Sequence, residues 1–192
     1  MKNIYLIVGP SGSGKTTVAK QLERDFGMKL VESFTTRLPR FPDEEGHIFV
    51  SDEEFDSLGE MCAYTEYNGY RYGVTPEIID QNDIYVIDPY GVQYMQNHYH
   101  GPKGIKTIRL LLDENTCKER MCIRGDDMAR IDQRILEDRK SFGFIEKDIH
   151  YDLVLPNYNQ QSTVMCIASY IGCIESLSAH IDAVQSHLLQ SL

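Results

Sequence analysis

The sequence predicts an α/β fold in which a parallel β-sheet is flanked by helices, with a small α+β insertion and a helical lid. Short apolar runs rich in β-formers recur at residues 4–8, 84–87, 107–112 and 151–155. Each is followed by polar or helical sequence, an alternation that implies parallel strands joined by right-handed crossovers. Between about 33 and 80 the character changes to short β-like pieces separated by polar turns, which marks an inserted unit.

The first run, IYLIV at 4–8, is continuous rather than alternating, as expected of a strand covered on both faces. A glycine-rich turn follows, and then Val18, Ala19, Leu22 and Phe26 recur at helical spacing from residue 16 until Gly27, a natural helix stop. Within the insertion, 48–50, 62–67 and 70–72 read as strands. Ser51-Asp-Glu-Glu54 has capping-box spacing, Asn68-Gly69 signals a tight hairpin, and Thr75-Pro76 reads as an N-cap with proline at the first helical position. Residues 115–142 are helical and hold five of the ten arginines, between Arg120 and Arg139. From about 161 to 190 the pattern is one long helix. Ile167, Ile174, Ile181 and Leu188 repeat every seven residues, with Tyr170, Leu177 and Val184 at the companion position. That stripe suits a homodimer contact or a helix folded back on its own domain, and the sequence leaves both open. The expected division is a core of 1–32, 81–114 and 143–192, an inserted subdomain at 33–80 and a helical segment at 115–142.

At 192 residues the chain has room for one core with a small subdomain. A net charge of −10 argues against a general nucleic-acid or anionic-membrane surface, so any phosphate site has to be local. No apolar run approaches the ~18 residues of a membrane span, and no basic-then-apolar leader opens the chain. A cytoplasmic protein without membrane contact is the expectation. The five cysteines (Cys62, Cys117, Cys122, Cys166, Cys173) form no C-x-x-C pair, which fits reduced thiols better than a disulfide or zinc framework.

Gly9-Pro10-Ser11-Gly12-Ser13-Gly14-Lys15-Thr16 matches G-x-x-x-x-G-K-[ST], followed by Thr17. Glycines in this pattern let main-chain N–H groups curl round phosphates, the helix N-terminus adds its dipole, the lysine reaches β/γ oxygens and the threonine hydroxyl suits Mg²⁺. The match follows an apolar strand and opens a helix, the context that identifies a P-loop, so a P-loop NTPase-type sheet binding ATP and Mg²⁺ is expected. The dinucleotide pattern G-x-G-x-x-G is absent.

With that loop in place, GPSGSGKTT, then SFTTRLPR at 33–40 and GHIFVSDEEF at 46–55 resemble guanylate kinase, over about residues 2–176. The resemblance implies a phosphotransferase acting on small molecules, ATP and a nucleoside monophosphate. It implies that Ser33, Arg37 and Arg40 hold the acceptor phosphate, for which guanidinium forks are suited. Tyr72 falls on the family's hairpin tyrosine and His47 on another phosphate-contacting tyrosine. Asp88 falls on the second carboxylate of the family's acidic strand, with Val86 in place of the first. Asp88 is thus placed to orient Mg²⁺ through water or touch the acceptor, or alternatively to cap the turn Asp88-Pro-Tyr-Gly91. Arg124 and Arg134 resemble the lid arginines that neutralise the transferring phosphoryl group, and Asn157 the asparagine near adenine. Arg130 and Arg139 are expected to pair with acids such as Asp126 or Glu137.

Two departures stand out. Ala63 and Val74 occupy the family's guanine-reading positions, and neither offers a hydrogen bond. Glu66 lies on the opposite face of its strand from Ala63. The sequence also resembles ribose 1,5-bisphosphate phosphokinase, a relative with no base to read, in Tyr72-Gly73-Val74. Guanylate-kinase-like binding modules without catalysis form a third alternative, but they typically lose the loop lysine, which is present here.

Overall fold

Every residue of the first strand, β1 (Asn3–Val8), is buried, which is why its sequence lacks the alternation of a half-exposed strand. The computed structural model describes residues 1–39, 42–67 and 69–190, with side chains to residue 183. Arg40, Asn68, and the side chains of Val184 and Leu188 lie outside the described residues. After β1 come α1 (Lys15–Phe26), β2 (Ser33–Thr35), β3 (His47–Phe49), α2 (Asp52–Ser57), β4 (Ala63–Tyr67), β5 (Tyr70–Val74) and α3 (Pro76–Gln81). Then follow β6 (Ile84–Val86), α4 (Pro89–His98), β7 (Gly104–Leu111), α5 (Glu114–Ile123), α6 (Met128–Ile145), a 3-10 turn (Glu146–Asp148), β8 (Leu153–Pro156) and α7 (Gln160–Gln190).

Four strands form the central sheet in the order β6-β1-β7-β8, all parallel, so the fold is of the α/β P-loop type. Successive residues of β1 point into different cores. Ile4, Leu6 and Val8 join Ile79, Val92, Met95, Ile145 and Ile149 on one face. Tyr5 and Ile7 join Val18 and Leu22 of α1 and Val164, Ile167 and Ile171 of α7 on the other. The second sheet, β3-β2-β5-β4, is mixed: β2 and β3 run parallel, whereas β5 is antiparallel to both β2 and β4. Its β4–β5 hairpin pairs Ala63 with Val74 and closes at Tyr67 and Tyr70. Gly69 supplies the positive φ (73°) that this turn requires. The capping box at Ser51 forms in full, Ser51 Oγ accepting from Glu54 N–H and the Glu54 carboxylate accepting from Ser51 N–H.

Three local features differ from the sequence expectation. The arginine-rich segment is two helices, broken where Gly125 adopts φ 92° and Asp127 caps α6, and α6 extends to Ile145. Arg139 pairs with Glu114 of α5 at 2.8 Å on both forks, so it ties the two helices together instead of bonding along its own. Helix α7 averages a mean hydropathy of 1.4 over Gln160–Ala183, enough by length and composition to cross a membrane although no contiguous apolar run is present. The average conceals two faces. Thr163, Val164, Ile167 and Ile171 fold back onto the chain's own sheet, while Leu177 and Ile181 are exposed.

Helix α7 is pinned to β1 by Glu175, whose carboxylate accepts from the Lys2 N–H (2.9 Å), Asn3 Nδ2 (2.8 Å) and the Tyr5 hydroxyl (2.8 Å). Burial raises the Glu175 pKa, but these donors and the chain's amino terminus outweigh it and hold it below the usual glutamate range. A depressed folded pKa contributes stability above the unfolded value, and that contribution is lost as pH falls through the folded value. Glu175→Ala is therefore expected to cost about 1–3 kcal/mol at neutral pH, because the buried Tyr5 hydroxyl loses its acceptor. Thermal melts read this as a drop of several degrees that shrinks in acid; an unchanged melting temperature would show that the pin is not structural.

Candidate active site

The loop between β1 and α1 is shaped by close approach. A Cβ on Gly12 would stand 2.5 Å from the Cys117 carbonyl oxygen, and one on Gly14 2.6 Å from Asn157 Nδ2. Both residues have positive φ, 77° and 90°, so glycine is required twice over. No side chain caps α1 among the described residues, which leaves its first-turn N–H groups to an anion. From behind, Asn157 Nδ2 donates to the Ser13 carbonyl at 2.7 Å, and Arg120 Nη2 donates to the Asn157 carbonyl at 2.9 Å. Asn157 is 2% exposed, and its amide clasps the loop. The Ser13 hydroxyl and Asn157 Oδ1 are buried without a partner among the described residues, polar atoms that a bound ligand or water would satisfy.

Lys15 turns back over the loop, donating to the carbonyls of Gly9 (2.6 Å) and Pro10 (3.0 Å). Burial lowers its pKa, opposed by the carboxylates of Asp138 and Asp88. The Ser11 N–H, at the mouth of the loop, donates to Asp138 Oδ2 of α6 at 2.7 Å. Thr16 and Thr17 are exposed at the start of α1, and Pro10 lies at the loop's outer edge.

A cleft of about 480 Å³ opens in front of the loop, between the two sheets and α6. The acceptor residues expected from sequence converge there in part. Pairing of β2 with β3 places Ser33 beside His47, and Ser33 Oγ lies 2.8 Å from His47 Nδ1. Tyr72 stands across β2 with its ring centroid 5.7 Å from that of His47, and all three line the cleft. Arg37 is set one layer back. Its fork bonds both oxygens of Glu44 at 3.0 Å, with the two side chains 9% and 8% exposed, and its Nε is buried without a partner among the described residues.

Asp88 forms the expected cap, Oδ1 accepting from the Gly91 N–H at 3.0 Å at the start of α4, and its carboxylate also lines the cleft. Burial raises its pKa, against the hydrogen bonds from the α4 N-terminus and the charge of Lys15. No group of three or more His, Cys, Asp or Glu gathers as a metal cage among the described residues. A hard cation here would rest on the Thr16 hydroxyl, the Asp88 carboxylate and the ligand's own phosphates, an all-oxygen donor set that suits Mg²⁺. Of the two arginines expected over the phosphoryl group, Arg134 reaches the cleft. Arg124, at the C-terminus of α5, is exposed and bonds Asp126, Nε to Oδ1 at 3.1 Å. Asp138 lies in no motif, and Arg120, in the arginine-rich segment expected as the lid, serves as a clasp on the loop. Contacts with partners 127 and 107 residues away carry no local signal.

The P-loop domain model of the Rad17 family matches residues 1–83. A guanylate kinase of Haemophilus influenzae is 30% identical, over 99% of this chain and 97% of its own length. One from Neisseria gonorrhoeae is 32% identical, over 81% and 80%. The solved guanylate kinase of Anaplasma phagocytophilum is similar in fold, with a TM-score of 0.58 at 22% identity, over 89% of this chain and 85% of that one.

Proposed function

Because the chain belongs to the guanylate kinase family, we propose that it transfers the γ-phosphoryl group of ATP to the phosphate of a nucleoside monophosphate, with GMP and dGMP as the first acceptors to test. The observation that carries this reading is that one cleft is lined both by Lys15 of the P-loop and by Ser33, His47 and Tyr72 of the second sheet, with Arg134 on its wall. A donor and an acceptor phosphate held from those two sides face each other.

The acceptor's phosphate oxygens are already ionised at neutral pH, so the reaction needs alignment and charge neutralisation more than a general base. The loop's N–H groups and Lys15 bind the donor's phosphates. Ser33, His47 and Tyr72 present hydrogen bonds to the acceptor phosphate, and the Arg37 fork reaches it by exchanging Glu44 for it. Arg134 neutralises the equatorial oxygens of the group in transit. Thr16, with Asp88 nearby, would hold a magnesium ion supplied with ATP, and such an ion would add positive charge beside the donor's phosphates. Closure over the cleft excludes water and limits hydrolysis.

Arg37→Lys tests the acceptor side without leaving Glu44 buried and uncompensated, because it keeps the charge and removes the fork. The KM for the acceptor is expected to rise about tenfold or more, with the KM for ATP unchanged. An unaltered acceptor KM would move the phosphate site elsewhere.

A second reading, a sugar-bisphosphate acceptor, is favoured by one observation: Ala63 and Val74 face each other across the hairpin, 1% and 0% exposed, and offer no group to a base. Glu66, on the opposite face of β4 from Ala63, lines the cleft and accepts from the Tyr64 hydroxyl at 2.5 Å. Coupled measurement of ADP release over GMP, dGMP, the other monophosphates and ribose bisphosphate decides between them. Turnover of the sugar phosphate alone would select the second reading, and turnover of none would remove both.

A further inference from the structure

We propose that Asp138 is a determinant of donor recognition: its carboxylate takes the phosphate seat of the P-loop, and the donor's phosphates bind by exchanging with it. The proposal rests on reading the loop as a triphosphate site. A carboxylate and a phosphate are alternative acceptors for the same main-chain N–H, and Ser11 N–H already donates to Asp138 Oδ2 at 2.7 Å. Lys15, the loop's own cation, feels the Asp138 charge more strongly than that of any other carboxylate around it. The contact is thus a small anion site satisfied from within.

The carboxylate belongs to α6, one helical turn beyond Arg134, and both side chains line the cleft. Its neighbour Glu137 lies beside Tyr67 of β4, on the acceptor side, and both line the cleft. One turn of α6 therefore carries a carboxylate bound to the P-loop, a carboxylate beside the second sheet, and the arginine expected over the transferring group. Displacing Asp138 from Ser11 releases that turn from the loop, so Arg134 settles over the phosphates only after the donor has arrived. A ligand that brings no anion to the seat cannot drive the exchange, since a shift of this kind is bounded by differential affinity for the two states.

The test compares the full chain with Asp138→Asn and Asp138→Ala by titration calorimetry at neutral pH and fixed ionic strength. The probes are the magnesium complexes of a β,γ-imido ATP analogue and of inorganic tripolyphosphate. Removing an internal competitor raises the binding-competent fraction, so Asp138→Ala is expected to bind both probes about tenfold more tightly. Asp138→Asn, whose carbonyl still accepts from Ser11 but carries no charge, is expected to tighten by less; being nearly isosteric, it decides the matter where the alanine variant folds poorly. A merely structural role predicts the opposite sign, because a loosened lid weakens binding. Equal or weaker binding by the variants would overturn the proposal while leaving the loop a triphosphate site. Failure of the unaltered chain and both variants to bind either probe would overturn the proposal together with the reading of the loop.

Discussion

Lys15→Ala is expected to lower the phosphoryl-transfer rate by ~100-fold or more, the scale on which a preorganised charge aimed at the reacting group acts. The argument begins from where the side chain rests. Its ammonium is bonded to the Gly9 and Pro10 carbonyls and disfavoured by burial, so moving to a phosphate oxygen exchanges neutral acceptors for a charged one. It is also the only Lys or Arg within the loop sequence from Gly9 to Thr16, so no neighbour on that segment can substitute. The fold does not depend on it: β1 and α1 are held by Tyr5, Ile7, Val18 and Leu22, and a melting temperature near that of the unaltered chain is expected. Initial rates of ADP release at saturating acceptor measure the effect. A variant retaining more than about a tenth of the rate would take Lys15 out of the chemistry.

Arg134→Ala should have the next largest effect, a fall of ~100-fold in both kcat and kcat/KM, the pattern of an interaction made in the transition state. Arg124→Ala is expected to stay within about tenfold, since an exposed ion pair contributes little. The asymmetry follows from position: Arg134 lines the cleft, whereas Arg124 is half-exposed and paired with Asp126. Arg134→Lys should restore only part of the loss, because an ammonium cannot reproduce the planar fork. Equal losses for the two alanine variants would mean that closure carries Arg124 inward.

Much of this arrangement is legible in the sequence because it is locally encoded. The strand, glycine loop and helix of the P-loop unit occupy 24 consecutive residues, Asn3 to Phe26. Their signals are hydrophobic continuity and two glycines at positive φ. The capping box and the Tyr67–Tyr70 hairpin are equally local. Strand β2 is not, since Ser33–Thr35 is too short for any periodicity and is defined by its partners β3 and β5. Helix α4 was also obscured, because Pro89 and Gly91 suggest a turn, whereas here they occupy the first turn of a helix capped by Asp88. The arginines show the sharpest limit. Five of them crowd one segment, yet Arg120 clasps the loop, Arg124 and Arg139 serve ion pairs, and Arg134 alone of these lines the cleft. Residue type and spacing identify a cationic segment; packing decides which guanidinium faces the chemistry.

The clasp of Asn157 on Ser13 has a consequence for biosynthesis. It joins positions 144 residues apart, so a ribosome-bound chain that has emerged only as far as β7 carries the whole glycine loop without its backing. Ordering that loop waits for β8 to add to the sheet, a long-range closure of the slow kind. If the loop binds a nucleotide as proposed, nucleotide held by a nascent chain would accordingly report that residue 157 has emerged.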